Sequence, residues 1–246
     1  MKYSILMPFI NRGRLLVNTL QSFYELYKER HDVWGLPENN NYEVVVIEDA
    51  KNQEDIDPVL DSFRAMNINI KLVKSRIQDC YNPAPLFNLG ASQAEGKYLI
   101  LTSPEILHAT NVLGGLDEFT LDDNYYIICS CKNVGRPKEA RGGRPMVWYQ
   151  HSILRNKQYH FCSALSRKLY NEVGGFDEEY GNGIAYDDDD FLRKIKESGV
   201  SILTRDDLET HHQWHDKITV KVPGYREKLM RNKQYYETKW QESIAL

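Results

Sequence analysis

The sequence has no C-x-x-C pair, and its four cysteines (Cys80, Cys129, Cys131 and Cys162) are too scattered to frame a zinc site. Cys129 and Cys131 fall in YYIICSCK, an apolar run that reads as a buried strand, so reduced structural thiols and a reducing compartment are expected. No stretch approaches the roughly 18 apolar residues of a membrane span. The opening MKYSILMPFI carries no cationic leader, so no signal peptide is read there, and the chain, taken as a whole protein, is expected in the cytoplasm. An excess of positive charge is also missing. Lys and Arg number 31 against 35 Asp and Glu, a net charge of −4, which argues against nucleic acid as a partner. No G-x-G-x-x-G follows the first strand, and neither H-E-x-x-H nor G-x-S-x-G occurs. GASQAEGK, at 90–97, imitates a phosphate-binding loop, but it has five residues between its glycines, is followed by Tyr98 instead of Ser or Thr, and leads into a strand.

What remains is an ordinary globular composition of 246 residues, 41% hydrophobic and 27% charged, with an aromatic share of 11% that includes 16 tyrosines. Apolar runs at 3–9, 42–49, 69–75 and 97–104 read as buried strands, and helical spacing of apolar residues marks 14–29, 55–66 and 85–96. The alternation predicts an α/β fold with a doubly wound, mainly parallel central sheet and helices on both faces. Ligands of such sheets bind at the carboxyl ends of the strands, here 8–12, 48–52, 75–81 and 102–108. The second half predicts a strand at 124–132, a Gly/Arg-rich mobile loop at 133–152, and a strand and helix closed by Gly174 and Gly175. A helix over 188–198, a strand over 200–203 and a basic, polar helix over 223–243 follow. The expected organisation is one domain over 1–222, with a nucleotide-binding half (1–105) and an acceptor half (106–222), and then the terminal helix at 223–246. That helix is solvated or touches an anionic membrane or a partner peripherally.

Four polar clusters stand out. Glu48 and Asp49 end the second strand, where a carboxylate can accept hydrogen bonds from a ribose or a uracil N–H. Ser103-Pro104-Glu105 ends the fourth, and Glu105 is a candidate ligand for a cation between phosphates. His211, His212 and His215 supply imidazoles, two of them at a spacing that reaches one metal. Asp187, Asp188, Asp189 and Asp190 precede the apolar face of a helix, and four are more than N-terminal capping needs. A sugar transfer needs charge neutralisation at the leaving diphosphate, a base for the acceptor hydroxyl and a floor for the sugar. Glu105 with a histidine, one of the aspartates, and Gly174, Phe176, Tyr180 and Trp148 match those needs in turn.

The motifs resemble those of inverting glycosyltransferases of GT-A fold, family 2, and of the related galactosyltransferase and N-acetylgalactosaminyltransferase domains. The segments that carry the resemblance are ILMPFINRGRLLVNTLQSF, VVVIEDAKN, FNLGASQAEGKYLILTSPE, FCSALSRKLYNEVGGFDEEYGNGIAYDDDDFLRKIKESGVSI and HHQWH. The resemblance implies that Pro8, Phe9, Ile10 and Arg12 line the base and ribose, that Glu48 and Asp49 bind the nucleoside, and that Asn88 and Ser103 lie near the phosphates or donor sugar. It implies a divalent cation, Mn2+ or Mg2+, on Glu105 and His212, with His215 as the fallback ligand. Asp187 and Asp188 occupy the acidic pair, with Asp188 the general base and Asp187 orienting a sugar, while Asp189 and Asp190 cap the helix and hold loop residues. Trp148, His160, Gly175 and Phe176 are the acceptor contacts, beside Tyr149 and His151. The implied donor is a nucleotide sugar, UDP-linked by preference, and the acceptor a glycan or other hydroxyl, as in polysaccharide biosynthesis.

Three positions depart from the family pattern. Ser103 replaces the first carboxylate of the metal-binding pair, so either weak metal binding or a lesser dependence on metal is expected. Phe87 replaces an arginine, which leaves Arg76 or the basic residues of 136–144 to face the diphosphate. Ala50-Lys51 replaces Gly-Ser. Two other readings stand beside the transferase. A catalytically impaired domain that binds glycan or nucleotide fits the departures, and a nucleotidyltransferase lacks its glycine-rich loop.

Overall fold

The computed structural model describes residues 1–27, 41–118, 123–134, 147–216 and 221–242. Most of the predicted loop at 133–152 and the end of the first predicted helix lie outside the described residues. Among the described residues, nine strands form one sheet: β1 (Tyr3–Phe9), β2 (Tyr42–Glu48), β3 (Ile70–Lys74), β4 (Tyr98–Thr102), β5 (Ile106–His108), β6 (Tyr125–Val134), β7 (Trp148–Gln150), β8 (Cys162–Ser166) and β9 (Ser201–Gln213). Their order is β3-β2-β1-β4-β8-β6-β9-β5, with β7 paired to β6. The helices are α1 (Gly13–Tyr27), α2 (Asp57–Ala65), α3 (Ala84–Gln93), α4 (Val112–Glu118), α5 (Arg167–Glu172), α6 (Asp187–Glu197) and α7 (Tyr225–Glu242), with a short 3-10 turn at Glu178–Asn182.

Alternation along the strands divides the core between two faces. Ile5, Met7, Val44, Val46, Ile100, Ile127 and Cys129 meet α1, α2 and α4 on one side. Leu6, Val45, Ile47, Leu99, Leu101, Tyr126 and Ile128 meet α3, α5 and α6 on the other. This is the doubly wound α/β sheet that continuous apolar strands require, because both faces must be covered. The parallel character belongs to β3-β2-β1-β4. Beyond β4 the sheet is mixed, since β8 runs antiparallel to both β4 and β6, and β9 runs parallel to β6. The expected strand at 200–203 is the start of β9, which continues to Gln213 and carries His211 and His212 within the sheet. β5 and α4 carry too few residues to show a period, and the sequence pattern did not mark them.

Two close approaches tie the connections to the sheet. Gly96 lies against β1, where an added Cβ would sit 2.5 Å from the backbone nitrogen of Ser4. The ends of β1 and β2 are laced together by Asn11 N–H donating to Asn52 Oδ1 at 3.1 Å and Gln53 N–H donating to Asn11 Oδ1 at 2.8 Å. All four cysteines are buried and unpaired, as the strand reading of Cys129 and Cys131 requires.

The terminal helix is not a solvated appendage. Asn232 is fully buried, and its Nδ2 donates to the carbonyls of Tyr180 and Ala185, both at 2.9 Å. Lys239 pairs with Asp177 and Asp190, each at 2.7 Å, and Arg231 pairs with Glu179. These pairs engage two basic side chains, Arg231 and Lys239, of the helix read as solvated or peripherally bound. No helix among the described residues is long and apolar enough to cross one.

Two substitutions test these constraints by thermal denaturation. Gly96→Ala forces a methyl onto strand backbone and is expected to cost ~1–3 kcal/mol, a drop of several degrees in Tm. Asn232→Ala strands two carbonyls and is expected to cost about 2 kcal/mol and to make α7 the first element released in limited proteolysis. An unchanged proteolytic pattern would show that α7 is held by other contacts.

Candidate active site

The carboxyl ends of β1, β2 and β4 form one side of the candidate site. Arg12 follows β1 and Glu105 follows β4. Arg12 Nε lies 3.1 Å from Glu105 Oε1, and another guanidinium nitrogen reaches His215 Nδ1 at 3.0 Å and donates to the Asp216 carbonyl at 3.2 Å. His215 Nε2 is 3.7 Å from the same Glu105 oxygen. Burial works to raise the Glu105 carboxyl, but His215, the Ser103 side chain and Arg12 together hold it below the ordinary glutamate value. The loop is fixed from beneath: Thr19 Oγ1 donates to the Pro104 carbonyl at 2.8 Å, and Gln213 N–H donates to the Glu105 carbonyl at 2.8 Å.

Asp49 is buried and accepts Lys51 N–H at 2.8 Å, a turn contact that aims its carboxylate along the strand end. Glu48 accepts Asn52 Nδ2 at 2.7 Å, and its second oxygen is buried without a hydrogen bond. Pro8 and Ile10 are partly exposed, but Phe9 is fully buried on the core side. The Phe9 side chain therefore cannot line a bound base, because strand alternation turns it into the sheet.

Asn88 also departs from expectation. Its Oδ1 accepts Tyr170 O–H at 2.7 Å and Phe176 N–H at 2.9 Å, while its Nδ2 donates to the Phe176 carbonyl and to Glu178 Oε1, both at 2.9 Å. Two donors and two acceptor sites are all a side-chain amide has. None is left for a phosphate or a sugar. Asn88 instead fastens the Gly174-Gly175-Phe176 turn, in which both glycines have positive φ. A Cβ at Gly175 would sit 2.6 Å from Asn88 Oδ1, so the fastener also requires glycine. Phe176 is 2% exposed and stacks between Phe87 (4.9 Å) and Phe191 (4.2 Å), which puts it in the core and out of an acceptor's reach.

The four aspartates open α6, and each has its own surroundings. Ala185 and Tyr186, just before them, both adopt left-handed backbone (φ 61° and 67°), and no side chain caps the helix. Asp189 accepts Tyr159 O–H at 2.7 Å. Asp190 is 1% exposed and accepts Trp240 Nε1–H at 2.9 Å and Tyr180 O–H at 3.2 Å, besides its pair with Lys239. These two therefore hold neighbouring aromatic and cationic side chains and do not cap. Asp187 is buried, and burial followed by the repulsion of Asp188 pushes its carboxyl up to about 7, against the pull of His160. Asp188 is the pair member that solvent reaches, with its side chain 36% exposed.

The remaining expected residues lie on β7, on β9 and just before β8. The His212 ring stacks on Tyr149 with centroids 4.2 Å apart, its Nδ1 faces Asn133 Oδ1 at 3.0 Å, and it lies 5.1 Å from the His215 ring. Trp148 packs on His151 at 4.6 Å. His160, expected on the acceptor side, is 9% exposed and set under α6. Among the described residues, no three His, Cys, Asp or Glu side chains converge on a point for an ion. Glu105 and His215 make a two-ligand set, sparse but of a kind that suits a cation whose other ligands are phosphate oxygens and water.

Asn232, Lys239 and Trp240 belong to the surroundings of the aspartates and were missed by reading α7 as solvated. Their signal was spacing: 232, 235, 236, 239 and 240 share one helical face.

The sequence profile described as glycosyl transferase family 2 matches residues 4–174. Residues 1–349 of S. aureus TarS, solved with UDP-GlcNAc, superpose with a TM-score of 0.66 at 17% identity, over 88% of this chain and 60% of that one. GalNAc-T7 with UDP, GalNAc and Mn2+ gives 0.65 at 19%, over 100% of this chain and 51% of that one. The mannosyltransferase PcManGT from Pyrobaculum calidifontis, with GDP-Man and Mn2+, gives 0.60 at 20%, over 85% and 56%. This chain thus spans 60% or less of the length of these three proteins. No curated protein matches it significantly in sequence. At such identities the likeness speaks for the fold, which is GT-A. With the profile covering more than half of its length, the chain belongs to glycosyl transferase family 2.

Proposed function

We propose that the protein is an inverting glycosyltransferase that moves a sugar from a nucleotide diphosphate donor, UDP-linked by preference, to a hydroxyl of a glycan or similar acceptor. The observation that carries this reading is the division of labour within the acidic run. Asp187 and Asp190 are buried and Asp189 is bonded to Tyr159, while Asp188 presents a carboxylate to solvent beside His160.

In this reading Asp188 takes the proton from the acceptor hydroxyl as its oxygen bonds to the anomeric carbon. The bond to the diphosphate oxygen breaks on the opposite face, and the diphosphate leaves with the electron pair. Asp49 meets the nucleoside. Arg12, drawn to the strand ends by Glu105 and His215, supplies fixed positive charge for the leaving group. A divalent cation, used in the Mn2+ complexes of the neighbours, would be held here by Glu105 and His215 and would add to that neutralisation. Cytoplasmic glycan or polysaccharide synthesis is the setting this chemistry suits.

Asp188→Asn removes the base and leaves the nucleoside contacts intact. Transfer, or UDP release from UDP-sugars, is expected to fall about 100-fold or more, while the thermal shift caused by UDP persists. Retention of more than about a tenth of the rate would move the base elsewhere. UDP binding with no turnover in the unmodified protein would favour the impaired, nucleotide-binding reading. Arg12→Ala is expected to weaken UDP more than uridine, because the guanidinium acts on phosphate charge. Equal weakening of both ligands would remove Arg12 from the diphosphate site.

A further inference from the structure

We propose that His160 is a positioning residue for sugar transfer: held in a cage of phenyl rings, its Nδ1 grips one carboxylate oxygen of Asp188 at 2.9 Å and leaves the other to receive the acceptor's proton. This rests on the reading of Asp188 as the base.

The geometry is built for orientation. His160 lies two residues before β8, whose five residues are all buried, so its backbone is held close to an anchored strand. Its ring meets Phe87 at 5.0 Å and 89°, Phe176 at 4.9 Å and 74°, and Phe191 at 6.3 Å and 83°. Three edge-on or tilted faces from α3, the Gly175 turn and α6 fix the ring plane. An imidazole so confined cannot follow a wandering carboxylate, so the carboxylate must come to it.

An apolar side chain would fill the same cage, and burial alone opposes charge on the ring. The charged groups facing it are Asp188 and Asp187, and they raise the ring above the ordinary histidine value despite that burial. The two carboxylates are treated differently. Asp188 has both a direct contact and the charge, whereas Asp187 has the charge alone and is itself displaced upward. Unlike surroundings for neighbouring acids are the arrangement that gives them separate roles. A base held by a third group is the general pattern of an oriented proton acceptor. The cage also explains Phe87, the departure from arginine: it is 2% exposed and supplies one wall.

The test compares His160→Leu, which fills the cage, with His160→Asn, which keeps an N–H donor near the place of Nδ1. UDP release is measured from UDP-glucose, UDP-galactose, UDP-GlcNAc and UDP-GalNAc, with water as acceptor, and the ring of His160 is titrated by NMR in the unmodified protein and in Asp188→Asn. The expected result is a fall in kcat of about tenfold or more for His160→Leu, with donor KM within about twofold and recovery of most of the loss in His160→Asn. In Asp188→Asn the His160 titration midpoint is expected to move down. Unchanged kcat in His160→Leu, equal loss in both variants, or a midpoint indifferent to Asp188→Asn would each overturn the proposal. A wild-type protein that releases UDP from none of the four donors would sink the transferase reading instead. The titration, which needs no turnover, then decides the pairing.

Discussion

Four carboxylates in the first turn of one helix cannot share one solution. The helix N-terminus offers partial positive charge, but the left-handed residues that lead into α6 leave it without a side-chain cap, and like charges three or four residues apart repel. The fold answers by giving each carboxylate a different surrounding. Asp190 is compensated from α7, Asp189 by a tyrosine hydroxyl, Asp188 by an imidazole, and Asp187 by a shift toward its protonated form. Much of the second half of the molecule is arranged around that requirement. The 3-10 turn, the Gly175 turn, the segment before β8 and α7 each send a side chain or a backbone group toward this helix.

The strand-end side works by the opposite arrangement. There a single carboxylate, Glu105, is surrounded by a guanidinium and an imidazole, so the acid is outnumbered by basic side chains. Ser103 stands where the family pattern has an acid, and its hydroxyl supports Glu105 without adding charge. In the proposed transferase a second carboxylate would compete with the diphosphate for Arg12, and its absence would leave a cation fewer oxygen ligands. The two departures at Ser103 and Phe87 thus have separate physical consequences: one changes the charge at the strand ends, the other builds an apolar wall behind the aspartates.

The strands and helices of the first half were legible because they are long enough to show their periods, and because continuous apolar runs flanked by amphipathic helices allow few other folds. Asp188 was singled out among four acids by motif resemblance, but the different surroundings of the four were not legible, since they depend on His160, Tyr159, Lys239 and Trp240, all far along the chain. Asn88 and Phe9 were misplaced for different reasons. A motif resemblance marks a position without saying whether its side chain faces ligand or protein, and only the four hydrogen bonds of Asn88 reveal that it is a fastener. The Phe9 error was avoidable: alternation along β1 already assigns it the core face of Ile5 and Met7. In α7 the charges drew attention to solvent, although the aromatic and amide residues at helical spacing described a packing face.

That packing face ties the end of the chain to the chemistry proposed for its middle. Ala185 and Tyr186 hold positive φ, which costs an ordinary residue roughly 1–3 kcal/mol and persists only where the surroundings enforce it. Asn232 supplies part of that enforcement at the Ala185 carbonyl, and the Ile184 N–H donates to the Lys228 carbonyl at 3.3 Å. Two residues later the chain reaches Asp187 and Asp188. The same helix compensates Asp190 one turn further on. Backbone strain before the aspartates and buried charge after them are therefore both carried by α7. The aim of the Asp188 carboxylate is set jointly by a cage on the sheet side and by a clasp on the outside, and neither is recognisable from the acidic run alone.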